Sequence, residues 1–267
     1  MADSVALYRS LVGARIRSDM QYRTSFVLFT FSQFAITFLD FVGILVLFAN
    51  VDSLAGWSLA EVAFLYGIAN LAFGLADVFV SPVENVQVAI RAGTFDQILL
   101  RPVSPMLQIV TDGFSARRLG KLAQGALVFG FAVAAVNVDW TAARVAMTLL
   151  AVLSASTIFG ALWVATSCVS FWWVEGREAA NAITYGGSFL AQYPLGLYGP
   201  WLRRGLAYAV PVAFANYFPA TYILGRSDRL GAPSWIAFAS PVVAVAVAAL
   251  SALAWRIAVR HYRSTGS

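Results

Sequence analysis

The sequence predicts an all-α integral membrane protein, and three observations carry that prediction. Of the 267 residues, 60% are hydrophobic and only 12% are charged, against about 45–50% and about 25% in soluble globular chains. The apolar residues gather into runs long enough to cross a bilayer, which takes about 20 residues as a helix. The arginines flank those runs at both ends of the chain. A soluble domain of this size could not cover its exterior with so little charge.

Taken in order, residues 4–22 are expected to form a moderately amphipathic helix along the membrane interface. Leu7, Tyr8, Leu11 and Val12 share one stripe there, interrupted by Arg15. Spans are expected at about 25–49, 58–80, 119–138, 145–174, 179–198 and 235–259. A further apolar run, 206–225, contains Pro211 and Pro219, and each proline removes a helical hydrogen bond and clashes with the preceding turn.

Charge separates six crossings from seven. Arg9, Arg15, Arg17 and Arg23 precede the first run, and Arg256, Arg260 and Arg263 end the last. The positive-inside rule puts both termini in the cytoplasm, which requires an even number of crossings. The expectation is therefore six transmembrane helices, with 206–225 as an external re-entrant hairpin before the last span. Such a hairpin is tolerated where protein covers its free backbone groups. This topology leaves 13 of the 18 basic residues on the cytoplasmic side. The polar N-terminus does not read as a cleavable signal peptide.

The longest polar connector runs from Ser81 to about Lys121. Ser81-Pro82-Val83-Glu84 reads as a capping box with proline in the first turn. Gly93 reads as a helix stop. Between them a helix over 82–92 is expected, with Val83, Val86 and Ile90 on one face. The elbow Arg101-Pro102-Val103-Ser104-Pro105 follows, and then helix re-entry. Three acids (Glu84, Asp96, Asp112) face five bases (Arg91, Arg101, Arg117, Arg118, Lys121) across this loop. A capped helix with an apolar face and mixed charge, held at the membrane surface, suits docking of a cytoplasmic partner better than mere connection. Glu175, Arg177 and Glu178, between the fourth and fifth runs, form a second contact candidate.

Gly93-Thr94-Phe95-Asp96, Leu99-Leu100-Arg101-Pro102 and Pro105 together resemble the signature of a family of type-2 ABC exporter permeases. That family was long catalogued as a domain of unknown function. The stretch from Pro211 to Ala220 (PVAFANYFPA) is similar to the family's second recognisable segment. The resemblance covers the whole chain and implies one ABC type-2 transmembrane domain over 1–267. It implies a coupling helix at 82–92 seated on an ATP-binding cassette subunit. Docking on that subunit falls to Val83, Glu84, Val86, Gln87, Ile90, Arg91, Gly93, Phe95, Asp96, Arg101 and Pro102, with Glu175, Arg177 and Glu178. Two copies of that subunit and a second permease, the same or a related chain, are implied as partners, with membrane lipid around them and no nucleic acid. By analogy to the superfamily, Asp40, Tyr66, Asn70, Pro211, Phe214, Tyr217 and Pro219 are candidates for the translocation path or the permease interface. The implied location is the bacterial plasma membrane. The implied function is export of a hydrophobic or amphiphilic compound such as a drug, natural product or lipid.

Other chemistries find little support. The glycine-rich stretch Gly113–Lys121 is no phosphate loop: six residues separate its glycines, and Leu122 stands where a hydroxyl should bind magnesium. No cofactor is expected in this chain; ATP and magnesium belong to the partner, and this chain is not expected to be an enzyme. Cys168 is expected to be a small packing residue, and His261 lacks fellow metal ligands. Asp40 stands within the first span, where an acid is costly; it serves a subunit contact, substrate or a proton. Asp77 and Glu61, near span ends, can reach headgroups. Trp172, Trp173, Trp201 and Trp235 suit an interfacial belt. Ser154, Ser156, Thr157, Gly160, Gly186 and Gly187 suit close helix contact. The rival readings are an ion-coupled secondary transporter using Asp40 and a membrane assembly protein without transport.

Overall fold

Twelve α-helices build the part of the chain that a computed structural model describes, residues 2–173, 176–205, 210–226 and 233–263. They are α1 (Ala2–Asp19), α2 (Arg23–Phe48), α3 (Leu59–Phe79), α4 (Val86–Arg91), α5 (Phe95–Leu99) and α6 (Pro105–Asp112). Then come α7 (Leu119–Ala135), α8 (Ala142–Cys168), α9 (Arg177–Ala191), α10 (Pro200–Arg204), α11 (Tyr217–Ile223) and α12 (Ser240–His261). Short 3₁₀ turns join several of them. No strand occurs among the described residues.

Four helical runs are long and apolar enough to cross a membrane: Ser10–Phe48, Leu59–Phe79, Ala142–Phe171 and Ser240–His261. The first is one run of 39 residues, in which the 3₁₀ turn Met20–Tyr22 joins α1 to α2 and the backbone leaves the helical region at Tyr22 alone, with ψ 67°. Two further helices of the bundle are shorter. α7 has 17 residues, and α9 has 15, ending before Pro194.

α3 is the axis of the fold. Val62 to Asn70 is buried without interruption, and Ala72, Phe73, Gly74, Ala76 and Val78 follow. α7, α8 and α9 pack around it. Between lipid-embedded helices the hydrophobic effect contributes little, so close packing must hold them together. Glycine supplies the closeness. A Cβ on Gly67 would lie 2.7 Å from the Phe129 Cα, and one on Gly125 would lie 2.7 Å from the Leu71 nitrogen. A Cβ on Gly120 would collide with the Thr30 carbonyl of α2. The expected small-residue contacts fare unevenly: Gly160 touches Val80, Gly187 touches Val212, and Gly186 faces open space.

One end of α3 is capped by a motif the sequence reading placed elsewhere. Ser58 Oγ accepts from the Glu61 backbone N–H, and Glu61 Oε2 accepts from the Ser58 N–H at 2.8 Å. Glu61 also takes a bidentate pair from Arg226, at 2.5 and 2.8 Å, with the guanidinium 4.8 Å over the Trp57 ring. The carboxylate expected to reach for headgroups thus fastens the segment after α11 to the start of α3. Nearby, the Asn216 side-chain amide donates to the backbone carbonyls of Ala191 and, at 3.3 Å, Leu65.

The run at 206–225 is broken as its prolines require. Pro211–Phe214 is a 3₁₀ turn and Tyr217–Ile223 is α11. Residues 206–209 lie outside the described part. Val212 to Ala220 is buried throughout, so protein covers the irregular backbone here.

Candidate functional site

The loop from Ser81 to Arg118 gathers at the other end of α3, together with α1 and with Tyr262 just beyond α12. Arg15 of α1 pairs with Asp112 of α6 at 3.2 Å. Asp19 accepts from the Ala116 N–H at 3.1 Å, fixing the end of α1 to the start of α7. Tyr262, just beyond α12, packs its ring against Phe95.

Within the loop, the expected helix over 82–92 divides in two. Ser81–Asn85 is a 3₁₀ turn, and α4 covers Val86–Arg91. The capping box expected at Ser81 does not form. The chain leaves α3 already wound, so the Ser81 hydroxyl donates backwards, to the Asp77 carbonyl at 2.8 Å and its Oδ1 at 2.7 Å. The stop at Gly93 does form. Gly93 has φ +67°, its N–H donates to Ile90 O, and the Thr94 N–H donates to Ala89 O. Those two bonds are the Schellman pattern, which needs a left-handed residue after the helix.

The apolar face of this segment turns inward. Val83, Val86, Gln87, Ile90 and Phe95 are all buried inside the chain, so they hold the loop to the bundle instead of presenting it. Phe95 lies edge-on between Phe171, 5.4 Å away, and Tyr262, 4.8 Å away. Burial, and then the Asp96 carboxylate, raises the Tyr262 phenol above its ordinary range. Tyr262 therefore stays neutral at any physiological pH.

What faces outward is a different set. Asn85, Val88, Arg91, Thr94, Gln97, Leu99, Arg101 and Pro102 are exposed, and Leu100 most of all, at 85%. Glu84, Gly93 and Asp96 are half-buried. Gln108 of α6 braces the elbow from behind, its amide donating to Ile98 O at 3.0 Å and Val103 O at 2.8 Å. A cavity of about 240 Å³ opens beside the tip, walled by Val88, Ala89, Thr94 and Ile98 on one side and Ile109 and Gly113 on the other. Sequence reasoning missed Gln108 and Leu100: neither belongs to a periodic stripe, and only an apolar residue just before Arg-Pro hinted at the tip.

Three of the loop's five bases, Arg117, Arg118 and Lys121, are committed internally. Arg118 reaches Asp77 Oδ1 at 3.2 Å, and Lys121 Nζ stands 4.0 Å from Asp77 Oδ2 and 4.0 Å over the Phe73 ring. Arg117 caps the Phe29 ring at 4.8 Å. The Tyr185 hydroxyl of α9 donates to Glu84 Oε2 at 3.4 Å. Asp77, expected at the headgroups, is thus the hub joining α3 to α7. Of the second contact candidate, Glu175 lies outside the described residues. Arg177 and Glu178 open α9, and their side chains are likewise outside the description.

The candidates for a path or interface separate into two groups. Tyr66, Asn70, Phe214, Tyr217 and Pro219 are buried in this chain. Tyr66 donates to Thr37 O at 2.9 Å and accepts from Gln124 Nε2 at 3.2 Å, which ties α2, α3 and α7 together. Pro211 is half-buried. Asp40 differs. It lies on the exposed side of α2, among Ile36, Leu39 and Val46, and makes no hydrogen bond or ion pair among the described residues.

The glycines of the rejected phosphate loop serve packing, as Gly120 against Thr30 illustrates. Cys168 is buried and free. Among the described residues no three His, Cys, Asp or Glu side chains stand close enough to share a metal ion.

Residues 34–266 match the family model described as an ABC-2 family transporter protein. The chain belongs to the ABC-2 transporter family. The match takes in α3 to α12 and most of α2, and it includes the whole loop with its tip. No curated protein and no solved structure matches the chain. An ABC-2 family chain is a membrane subunit, and its family generally works with an ATP-binding cassette subunit.

Proposed function

We propose that this chain is the permease subunit of an ATP-driven exporter for hydrophobic or amphiphilic compounds. The loop end is cytoplasmic, and the chain crosses the bacterial plasma membrane six times. Gathering of α1, the loop and Tyr262 at one end supports an even number of crossings. α7 and α9 are the two short crossings, reaching full depth with their non-helical extensions. Two ATP-binding cassette subunits sit beneath a pair of permeases, the second being the same chain or a related one. ATP and magnesium act in those subunits.

The observation that carries this reading is Leu100, the most exposed apolar residue of a loop that is itself anchored by the buried Val83, Val86, Ile90 and Phe95. An exposed leucine on a rigid tip, beside a cavity, is the form of a docking knob. Nucleotide-driven movement beneath the tip passes through Phe95 to α8 and α12, and through Asp77 to α3 and α7. The α2 face with Asp40 meets the second permease or the substrate path. The concrete test is purification in mild detergent from the native membrane. An ATP-binding subunit retained by the natural chain and lost from Leu100→Asp supports the reading. Retention by both, or by neither, overturns it.

The unpaired Asp40 keeps one other reading in play, an ion-coupled carrier. Transport by the chain alone, driven by a proton or sodium gradient and abolished in Asp40→Asn, would establish that instead.

A further inference from the structure

On the flank formed by α3, α8 and α12 lies a groove of about 550 Å³, a size typical of small-ligand sites. Leu75 and Phe79 of α3 form one wall, Leu153 and Gly160 of α8 the floor, and Ala248 and Ala252 of α12 the other wall. All three helices lie in runs long enough to cross a membrane, so the groove opens towards lipid chains. It also runs on towards the loop end. A second cavity, of about 440 Å³, shares Phe79, Val80 and Met106 with it and is also lined by Tyr8 and Ser104.

The polar groups decide what such a groove accepts. Three hydroxyls line its long arm, and each is turned into its own helix. Ser156 donates to Val152 O, Thr157 to Leu153 O and Ser251 to Ala248 O. The arm therefore offers a ligand no free hydrogen-bond donor and suits hydrocarbon alone. At the loop end the situation reverses. The Tyr8 hydroxyl is buried and has no hydrogen-bond partner among the described residues, and a buried hydroxyl left unpaired is costly. Burial also raises its pKa, so it is a permanent donor awaiting an acceptor.

We propose that this groove seats a phospholipid from the leaflet at the loop end. One acyl chain lies along α8 between α3 and α12, and a glycerol ester or phosphate oxygen accepts from Tyr8 Oη. A hydrocarbon arm that ends at one orphan donor, level with the loop, matches the order of parts in that molecule. This site is on a different face from Asp40 and does not depend on the identity of the exported compound.

The experiment uses the full chain in vesicles of phosphatidylethanolamine and phosphatidylglycerol. A trace of phosphatidylglycerol carries a diazirine on one acyl chain, and labelled peptides are quantified after illumination. Label is expected to concentrate on the Leu153–Gly160 and Ala248–Ala252 peptides over the exposed Leu127–Phe131 stretch of α7. Ala252→Phe, at an exposed groove position, should lower that label about tenfold by overfilling the arm. Leu250→Phe, exposed on the same helix but outside the groove, should leave it unchanged. Tyr8→Phe should lower it about fivefold, the loss of one hydrogen bond. Excess palmitate should not displace the probe, whereas unlabelled phosphatidylglycerol should. Even labelling of all exposed helices, equal effects of Ala252→Phe and Leu250→Phe, or displacement by palmitate would each overturn the proposal. Should Ala252→Phe lower the melting temperature, Tyr8→Phe decides, because it removes one oxygen and no packing.

Discussion

The ring of Phe95 meets the ring of Tyr262 edge to face, with 4.8 Å between centroids and 74° between planes. Phe95 belongs to the loop between α3 and α7, and Tyr262 follows the last helix. Phe171, at the end of α8, and Trp255 of α12 extend the same cluster. One aromatic side chain therefore couples the loop to the two long helices farthest from it in sequence. Phe95→Ala is expected to lower stability by about 3–5 kcal/mol, as for other buried phenylalanines. A double-mutant cycle with Tyr262→Ala, read by thermal unfolding in detergent, should return a coupling of about 0.5–1.5 kcal/mol. A coupling of zero would show that the pair is adjacent without being linked.

The loop's buried and exposed faces should respond oppositely to mutation. Ile90→Ala should cost about 2–5 kcal/mol of stability. Leu100→Asp should change stability by no more than about 0.5 kcal/mol, as exposed positions do. Its effect should appear in affinity for the ATP-binding subunit, weakened at least tenfold for a loss of about 2 kcal/mol at a central contact. Arg101→Ala should likewise spare folding while lowering substrate-stimulated ATP hydrolysis. Melting curves and pull-down titrations on the same preparations separate the two classes.

Much of this arrangement was legible in the sequence, and the failures have physical causes. The stop at Gly93 was readable because a left-handed residue ending a short helix selects glycine. The inward turn of Val83, Val86 and Ile90 was not. An apolar stripe reports that a face is buried, without saying whether the chain itself or another protein does the burying. Ser58 and Ser81 make the same point about local motifs. Both begin Ser-x-x-Glu, yet only Ser58 enters its helix from extended backbone, with ψ 165°. Ser81 follows directly on α3, so its hydroxyl is already engaged by Asp77. α7 and α9 show the limit of reading spans from hydropathy, since apolar sequence continues past the point where each helix stops.

Close approach of α3 and α7 rests on glycines the sequence reading passed over. Gly125→Val should disrupt it, because even a Cβ would stand 2.7 Å from the Leu71 nitrogen and 2.8 Å from the Asn70 carbonyl carbon. A cost of at least about 1–3 kcal/mol is expected from such overpacking. Gly186→Ala, where nothing lies within 4 Å, should be tolerated. Yield of folded protein on size exclusion would distinguish them.

The Glu61–Arg226 pair, with side chains 18% and 30% exposed, is partly shielded from solvent. Arg226→Met should cost about 1–3 kcal/mol, a range for charge-assisted hydrogen bonds in partly buried settings. Raised salt should weaken the natural protein only slightly, since shielded pairs are poorly screened. A large salt sensitivity of the melting temperature would mean that the pair is open to water.

Asp40→Asn should leave stability within about 0.5 kcal/mol of the natural chain, since the carboxylate makes no hydrogen bond or ion pair among the described residues. Its effect should appear in transport or in association with the second permease, measured by flux into vesicles and by cross-linking between copies.

α3 is enclosed by its neighbours from Val62 to Asn70. Over that stretch the helix has no free flank along which to slide or swivel. A push delivered at its Asp77 end must therefore arrive at its Ser58 end with little lost on the way. That makes this stretch of α3 a stiff strut, and under the function proposed above it leaves the reshaping of any passage to parts of the assembly other than this helix.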